Sequence, residues 1–135
     1  MNTLVLKPIA RTYKNNGQHL EQMFRFTLTG ELAKADNLPA TAGADCLGYQ
    51  IKSARATLCK GRDLQAAMKN DKATAYAYVT QDGIAYLMNR AEYLEFGTEF
   101  GTLTRESDKN GGAEKIRLGH ETKKLLDWLS ERVGR

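Results

Sequence analysis

Two strand-like runs, Thr74 to Thr80 (TAYAYVT) and Ile84 to Met88 (IAYLM), flank Gln81-Asp82-Gly83. Aromatic and β-branched residues suit a pleated, half-buried surface. Asp-Gly is a turn pair that reverses a chain between two strands. The segment therefore reads as an antiparallel hairpin, and every other element has to be arranged around it. Its tyrosines, Tyr76, Tyr78 and Tyr86, alternate as sheet residues do, which suits core or sheet surface better than a platform for stacked bases.

Upstream, Asn16-Gly17 opens a helix expected to reach about Thr29, with Leu20, Met23, Phe24 and Leu28 at helical spacing. Gly30 ends it, with a further turn expected over 31–35, and Asp36-Asn37-Leu38-Pro39 is turn chemistry. A second hairpin is expected to turn on Leu47-Gly48, its return strand running from Tyr49 to about Ala54 or beyond. Lys60-Gly61 breaks that pattern, and Asp63 is a good N-cap for a short helix to about Lys69. A crossover helix there would let the Lys52 strand and the Thr74 strand run parallel.

Beyond the central hairpin, Asn89 can cap a helix carrying Ala91, Tyr93, Leu94 and Phe96. A loop is expected over 107–113, a short strand from Lys115 to Leu118, and a closing amphipathic helix from His120 to Val133. Its apolar stripe is Leu125, Leu126, Leu129 and Val133. The fold class is α/β of the mixed α+β kind: a central mixed sheet flanked by helices. Without repeats, low-complexity tracts or a Pro/Ser linker, residues 1–135 read as a single domain.

The 135 residues suffice for a buried core without disulfides or metal. No apolar run approaches the roughly 20 residues that span a bilayer, so no membrane partner is expected. Lys7 and Pro8 interrupt the N-terminus too early for a signal peptide, and the expected location is cytoplasmic. Cys46 and Cys59 lack metal-ligand spacing and read as reduced filler, while His19 and His120 are isolated imidazoles on helical segments. The net charge of +4 is modest. Its placement says more: between Cys46 and Arg62 lie Lys52, Arg55, Lys60 and Arg62 with no acid. A second basic group, Lys109, Lys115, Arg117, Lys123 and Lys124, is interleaved with acids and reads more readily as a solvated face.

The chemistry concentrates in Asp45-Cys46-Leu47-Gly48-Tyr49-Gln50-Ile51-Lys52. A tight turn at Leu47-Gly48 would pair Asp45 with Gln50. Gln50 and Lys52 share a strand face by alternation, cross-strand partners share it too, and Ile51 points the other way into a core. A carboxylate, an amide oxygen and an ammonium would thus gather where a hard cation and a phosphate can bind. The plain alternative is an exposed Asp45–Lys52 ion pair, worth less than about 1 kcal/mol, with Gln50 facing solvent.

This stretch resembles the PD-(D/E)XK nuclease superfamily, the restriction-endonuclease-like fold. The matching parts are Asp45 and Gln50-Ile51-Lys52, with Gln in place of the commoner Glu, and Glu21 on the preceding helix. The resemblance covers roughly residues 16–80. It implies a metal-dependent DNA endonuclease with Asp45, Gln50, Lys52 and Glu21 as catalytic residues. Mg²⁺ or Mn²⁺ would be held by Asp45, Gln50 and Glu21. Glu21 reads more readily as an ordinary surface residue of an amphipathic helix, because the sequence does not fix its direction. With Gln for Glu the site loses one negative charge, which implies weaker metal binding and one ion rather than two. The following tract, Ser53, Arg55, Lys60 and Arg62, would hold the DNA backbone. Resemblance and size together imply a homodimer. A catalytically inactive DNA-binding module of the same fold and a small α+β protein-interaction domain are the alternatives.

Overall fold

The computed structural model describes residues 1–10, 16–32, 47–107, 109 and 111–134. Along the described chain run β1 (Asn2–Val5), α1 (Asn16–Thr29), β2 (Tyr49–Lys52), β3 (Thr57–Lys60) and α2 (Leu64–Asn70). After them come β4 (Ala75–Val79), β5 (Ile84–Met88), α3 (Arg90–Phe100), β6 (Gly101–Arg105), β7 (Glu114–Leu118) and α4 (Lys123–Arg132). The class is mixed α+β.

The central hairpin forms as expected: β4 and β5 are antiparallel, with Tyr78 opposite Tyr86 and Tyr76 opposite Met88. β1 adds to the outside of β5, and β2 pairs with β4 in parallel, Gln50 beside Tyr76 and Lys52 beside Tyr78. This gives a sheet in the order β1-β5-β4-β2. The parallel pair follows from α2 lying in the connection between its strands.

One expectation is corrected here. A single central sheet does not form, because the strand begun at Tyr49 stops at Lys52 instead of reaching Ala54. The Ala56 N–H donates to the Ser53 carbonyl at 3.2 Å, and Arg55 adopts φ +68°. The chain leaves this turn as β3 in a second, antiparallel sheet ordered β3-β7-β6. β1 and β6 are not among the expected strands, although Thr3-Leu4-Val5 and Thr102-Leu103-Thr104 are strand-favouring residues. Both are short, and β6 begins at the residue that ends α3, where the Gly101 N–H donates to the Gly97 carbonyl.

Helix starts are set by side-chain caps, as the sequence suggests. Asp63 accepts from the Ala66 N–H at 3.0 Å and opens α2. Asn89 and Glu92 form a reciprocal capping box at α3, with bonds of 2.8 and 3.0 Å. At α4 the cap is Thr122, which accepts from Leu125 at 3.2 Å. His120 therefore lies ahead of the helix and not on it.

Alternation along the first sheet separates two cores. Ile51, Ala77, Val79 and Ala85 face α1, where Phe24 is fully buried and Leu20 and Met23 pack beside it. Tyr76, Tyr78, Tyr86 and Met88 face the other way, toward the remaining helices and the second sheet. Phe96 anchors that larger core, its ring 5.2 Å from Tyr78 and 5.8 Å from Trp128. A fully buried side chain of this kind contributes about 1.5–3 kcal/mol. Among the described residues, no helix is long and apolar enough to cross a membrane.

Candidate functional site

The edge strand β2 positions the candidate residues. Ile51 is buried against α1, and Tyr49 meets Phe24 edge-on at 5.2 Å between centroids. Period-two alternation then places Gln50 and Lys52 together on the opposite face, beside Tyr76 and Tyr78. Both side chains are half-buried, and Gln50 lines a cavity shared with β3 and α2. The Lys52 Nζ donates to the Thr57 carbonyl at 2.8 Å, which fixes the ammonium between β2 and the start of β3.

Leu47 and Gly48 form a turn immediately before β2, and the expected pairing of Asp45 with Gln50 falls outside the described residues. Leu47 and Gly48 have φ of +50° and +83°. Positive φ at both central residues is the mark of a type I′ hairpin turn, whose twist matches that of paired strands. The Gly48 carbonyl accepts from the Thr74 N–H at 2.8 Å, which ties the turn to the start of β4. A Cβ on Gly48 would lie 2.6 Å from the Thr74 hydroxyl, which would have to rotate away, and the φ of +83° favours glycine there. Asp45 and Cys46 lie outside the described residues, as do 36–39.

Glu21 is not brought to this face. Its helix, α1, is anchored through Leu20, Met23 and Phe24 to the Ile51 side of the sheet, the side opposite Gln50 and Lys52. The expected grouping of Glu21 with these two is therefore not what the packing produces, because the helix's apolar stripe decides which face it covers.

Asp71, for which the sequence reading has no role, does share a cavity with Gln50. The cavity holds about 240 Å³ and is lined also by Cys59, Lys60, Leu64 and Met68. Asp71 lies just past α2 and accepts from the Tyr76 hydroxyl with both carboxylate oxygens at 3.0 Å. The Arg90 guanidinium lies 3.3 Å from Asp71, donates to the Tyr76 oxygen at 3.1 Å, and also bonds the Ala73 and Met68 carbonyls. Burial, then the neighbouring carboxylate, push the Tyr76 hydroxyl up to about 12. This cluster is a neutralised brace that fixes the floor of the cleft. Its sequence signal is the acid placed directly after a helix, with an aromatic and an arginine downstream.

Cys59 is buried on the same cavity, and desolvation pushes its thiol up from the ordinary value. A thiolate is what attacks, so this cysteine is poorly suited to nucleophilic chemistry. Among the described residues, no group of three or more His, Cys, Asp or Glu is arranged to hold a metal ion. The described part of the cleft offers one candidate oxygen ligand from the expected set, the Gln50 amide, and Asp71 is already engaged by Tyr76 and Arg90.

The basic tract divides in space. Ser53 lines a recess of about 280 Å³ with Asn16, Leu20, Thr80 and Gln81, at the carboxyl ends of the parallel strands. Arg55 is exposed on its left-handed turn, and Lys60 is exposed at the end of β3. Arg62 pairs with Glu114 at 3.4 Å, an exposed contact worth less than about 1 kcal/mol. Comparison with known protein families, curated proteins and solved structures finds none that matches this chain.

Proposed function

We propose that this chain is a restriction-endonuclease-like protein that hydrolyses phosphodiester bonds of DNA with a divalent cation, Mg²⁺ or Mn²⁺. One observation carries the reading: Gln50 and Lys52 sit side by side on a half-buried strand face, directly after a turn with positive φ at Leu47 and Gly48. Such a turn would return an Asp45 strand alongside β2 with its carboxylate opposite Gln50. The parallel β2–β4 pair, joined through α2, adds support.

In this reading Asp45 and Gln50 would hold the cation. When bound, it offsets charge on the scissile phosphate and acts as a Lewis acid. Lys52 would supply an ammonium near the bound phosphate, where it would oppose negative charge developing on a phosphate oxygen. Its bond to Thr57 holds that charge in place before substrate arrives. The brace of Asp71, Tyr76 and Arg90 keeps the β4 side of the cleft fixed.

The test is nicking of supercoiled plasmid in Mg²⁺ or Mn²⁺. Cleavage is expected from the parent chain and is expected to be lost in Asp45→Ala and Lys52→Ala. Cleavage at parental rate in both variants would overturn the assignment. A second reading, a DNA-binding module without catalysis, is favoured by the same Lys52–Thr57 bond, since an ammonium tied to a carbonyl can be purely structural. Duplex binding without cleavage in either cation would select it.

A further inference from the structure

The second sheet has one apolar face and one basic, hydroxyl-rich face. Leu58, Cys59 and Leu118 turn inward to the larger core, and Ile116 packs against it. Alternation sends Lys115 and Arg117 outward from β7. Their register partners share that face: Thr104 and Lys60 beside Lys115, Thr102 and Thr57 beside Arg117.

A bulge makes this face possible. Thr57 and Lys60 are separated by an odd number of steps, so regular alternation would put them on opposite sides. The register shifts between Thr57 and Cys59, and Leu58 and Cys59 are both buried. The extra residue re-aims the strand, as bulges do, and returns Lys60 to the face that Thr57 occupies.

Two rows result, Lys60-Lys115-Thr104 and Thr57-Arg117-Thr102, two residues or about 6.8 Å apart along a strand. Arg117 Nε donates to the Arg55 carbonyl at 2.7 Å, and the Arg55 N–H donates to the Gly119 carbonyl at 2.9 Å. Arg55 thus extends the second row toward Thr57, whose carbonyl in turn accepts from the Lys52 ammonium. Among the described residues, Glu106 offsets the charge of this face, 3.0 Å from Lys115. Glu114 alternates to the other side of β7, where it pairs with Arg62.

We propose that this bulged face is a docking surface for the sugar-phosphate backbone of duplex DNA, leading it to the Lys52 end of β2. Lysine, arginine and threonine hydroxyls without an apolar patch are the groups that position a phosphate backbone without reading bases. The choice of polyanion rests on the nucleic-acid reading above.

The experiment is titration of a labelled short duplex in EDTA, where no cleavage can occur, across a range of salt. Removing one phosphate-binding side chain lowers the slope of log affinity against log salt by about one. Lys60→Gln with Arg117→Gln is expected to lower it by about two. Lys60→Glu alone, at an exposed side chain, is expected to weaken binding without any question of folding. Lys123→Gln with Lys124→Gln removes the same charge from exposed sites on α4 and is expected to change the slope little.

Parental slopes in the β3–β7 variants, or an equal loss in the α4 variant, would overturn the proposal. So would binding to vesicles of phosphatidylserine and phosphatidylcholine with none to duplex. The two readings fail separately. Duplex binding that depends on this face, without plasmid cleavage, leaves the face and removes the hydrolase. Cleavage unaffected by the β3–β7 variants removes the face and leaves the hydrolase.

Discussion

Arg55 and Leu47 bear side chains in the left-handed backbone region, at φ +68° and +50°. For a residue with a Cβ that conformation costs about 1–2 kcal/mol, and such strain gathers at functional sites. The two bracket β2, one on each side of Gln50 and Lys52. Leu47 is also exposed, so it gains little from burial. Leu47→Asn is expected to raise the unfolding free energy by about 1 kcal/mol, since Asn tolerates this region and suits a type I′ turn. A urea midpoint shifted upward at unchanged slope would confirm it, and a downward shift would contradict the turn. Arg55→Gly separates backbone from side chain: stability is expected within about 1 kcal/mol of the parent, while duplex affinity falls. Retained affinity would remove Arg55 from the docking surface. Tyr76 contributes to the alkaline pH dependence, together with the more deeply buried Tyr78, whose hydroxyl is also pushed up by burial and by Glu121. The folded chain holds the Tyr76 proton more tightly, at about 12 against an ordinary 10, so this contribution is whole below pH 10 and is lost as pH rises toward 12. Tyr76→Phe is expected to flatten the alkaline decline of stability relative to the parent, and superimposable declines would contradict the burial and the Asp71 bond that together hold this proton.

At the scale of elements, caps and turns are the most legible features, because each depends on a few adjacent residues. Asp63 and Asn89 cap the helices that the sequence assigns to them, and Asp82-Gly83 turns the central hairpin. Asp63→Ala is expected to cost about 1 kcal/mol in urea unfolding, with no change in duplex binding, and an unaltered midpoint would contradict the cap. What depends on distant partners is not legible. Nothing in Ser53 and Ala54 signals a break in the Tyr49 strand, yet Arg55 turns the chain there against its own preference. β6 hides in Gly101–Arg105 because its pairing with β7 is settled across a loop. The Leu58 bulge is visible only once the β7 register is known, and with it the face that Lys60 and Arg117 share.

For the whole molecule, the mixed α+β class and the parallel β2–β4 pair are readable from element order and a crossover helix. The division into two sheets is not. Nor is the side of the sheet that α1 covers, since its stripe of Leu20, Met23 and Phe24 packs equally well on either face until a partner is specified. That choice separates Glu21 from Gln50 and Lys52, and it narrows the proposed cation ligands to Asp45 and Gln50. The same architecture turns Gln50 toward β3 and α2, with Lys60 beside it on the cavity, and ties Lys52 to the start of β3. The claim at the centre is that Asp45 joins these two residues across the Leu47-Gly48 turn to hold a cation. A crystal soaked in Mn²⁺ tests it most directly, through anomalous density. A peak between the Asp45 carboxylate and the Gln50 amide, on the Lys52 side of β2, is the result expected. Density for Asp45 on the Ile51 side of the strand, with no Mn²⁺ in the cleft, would contradict it.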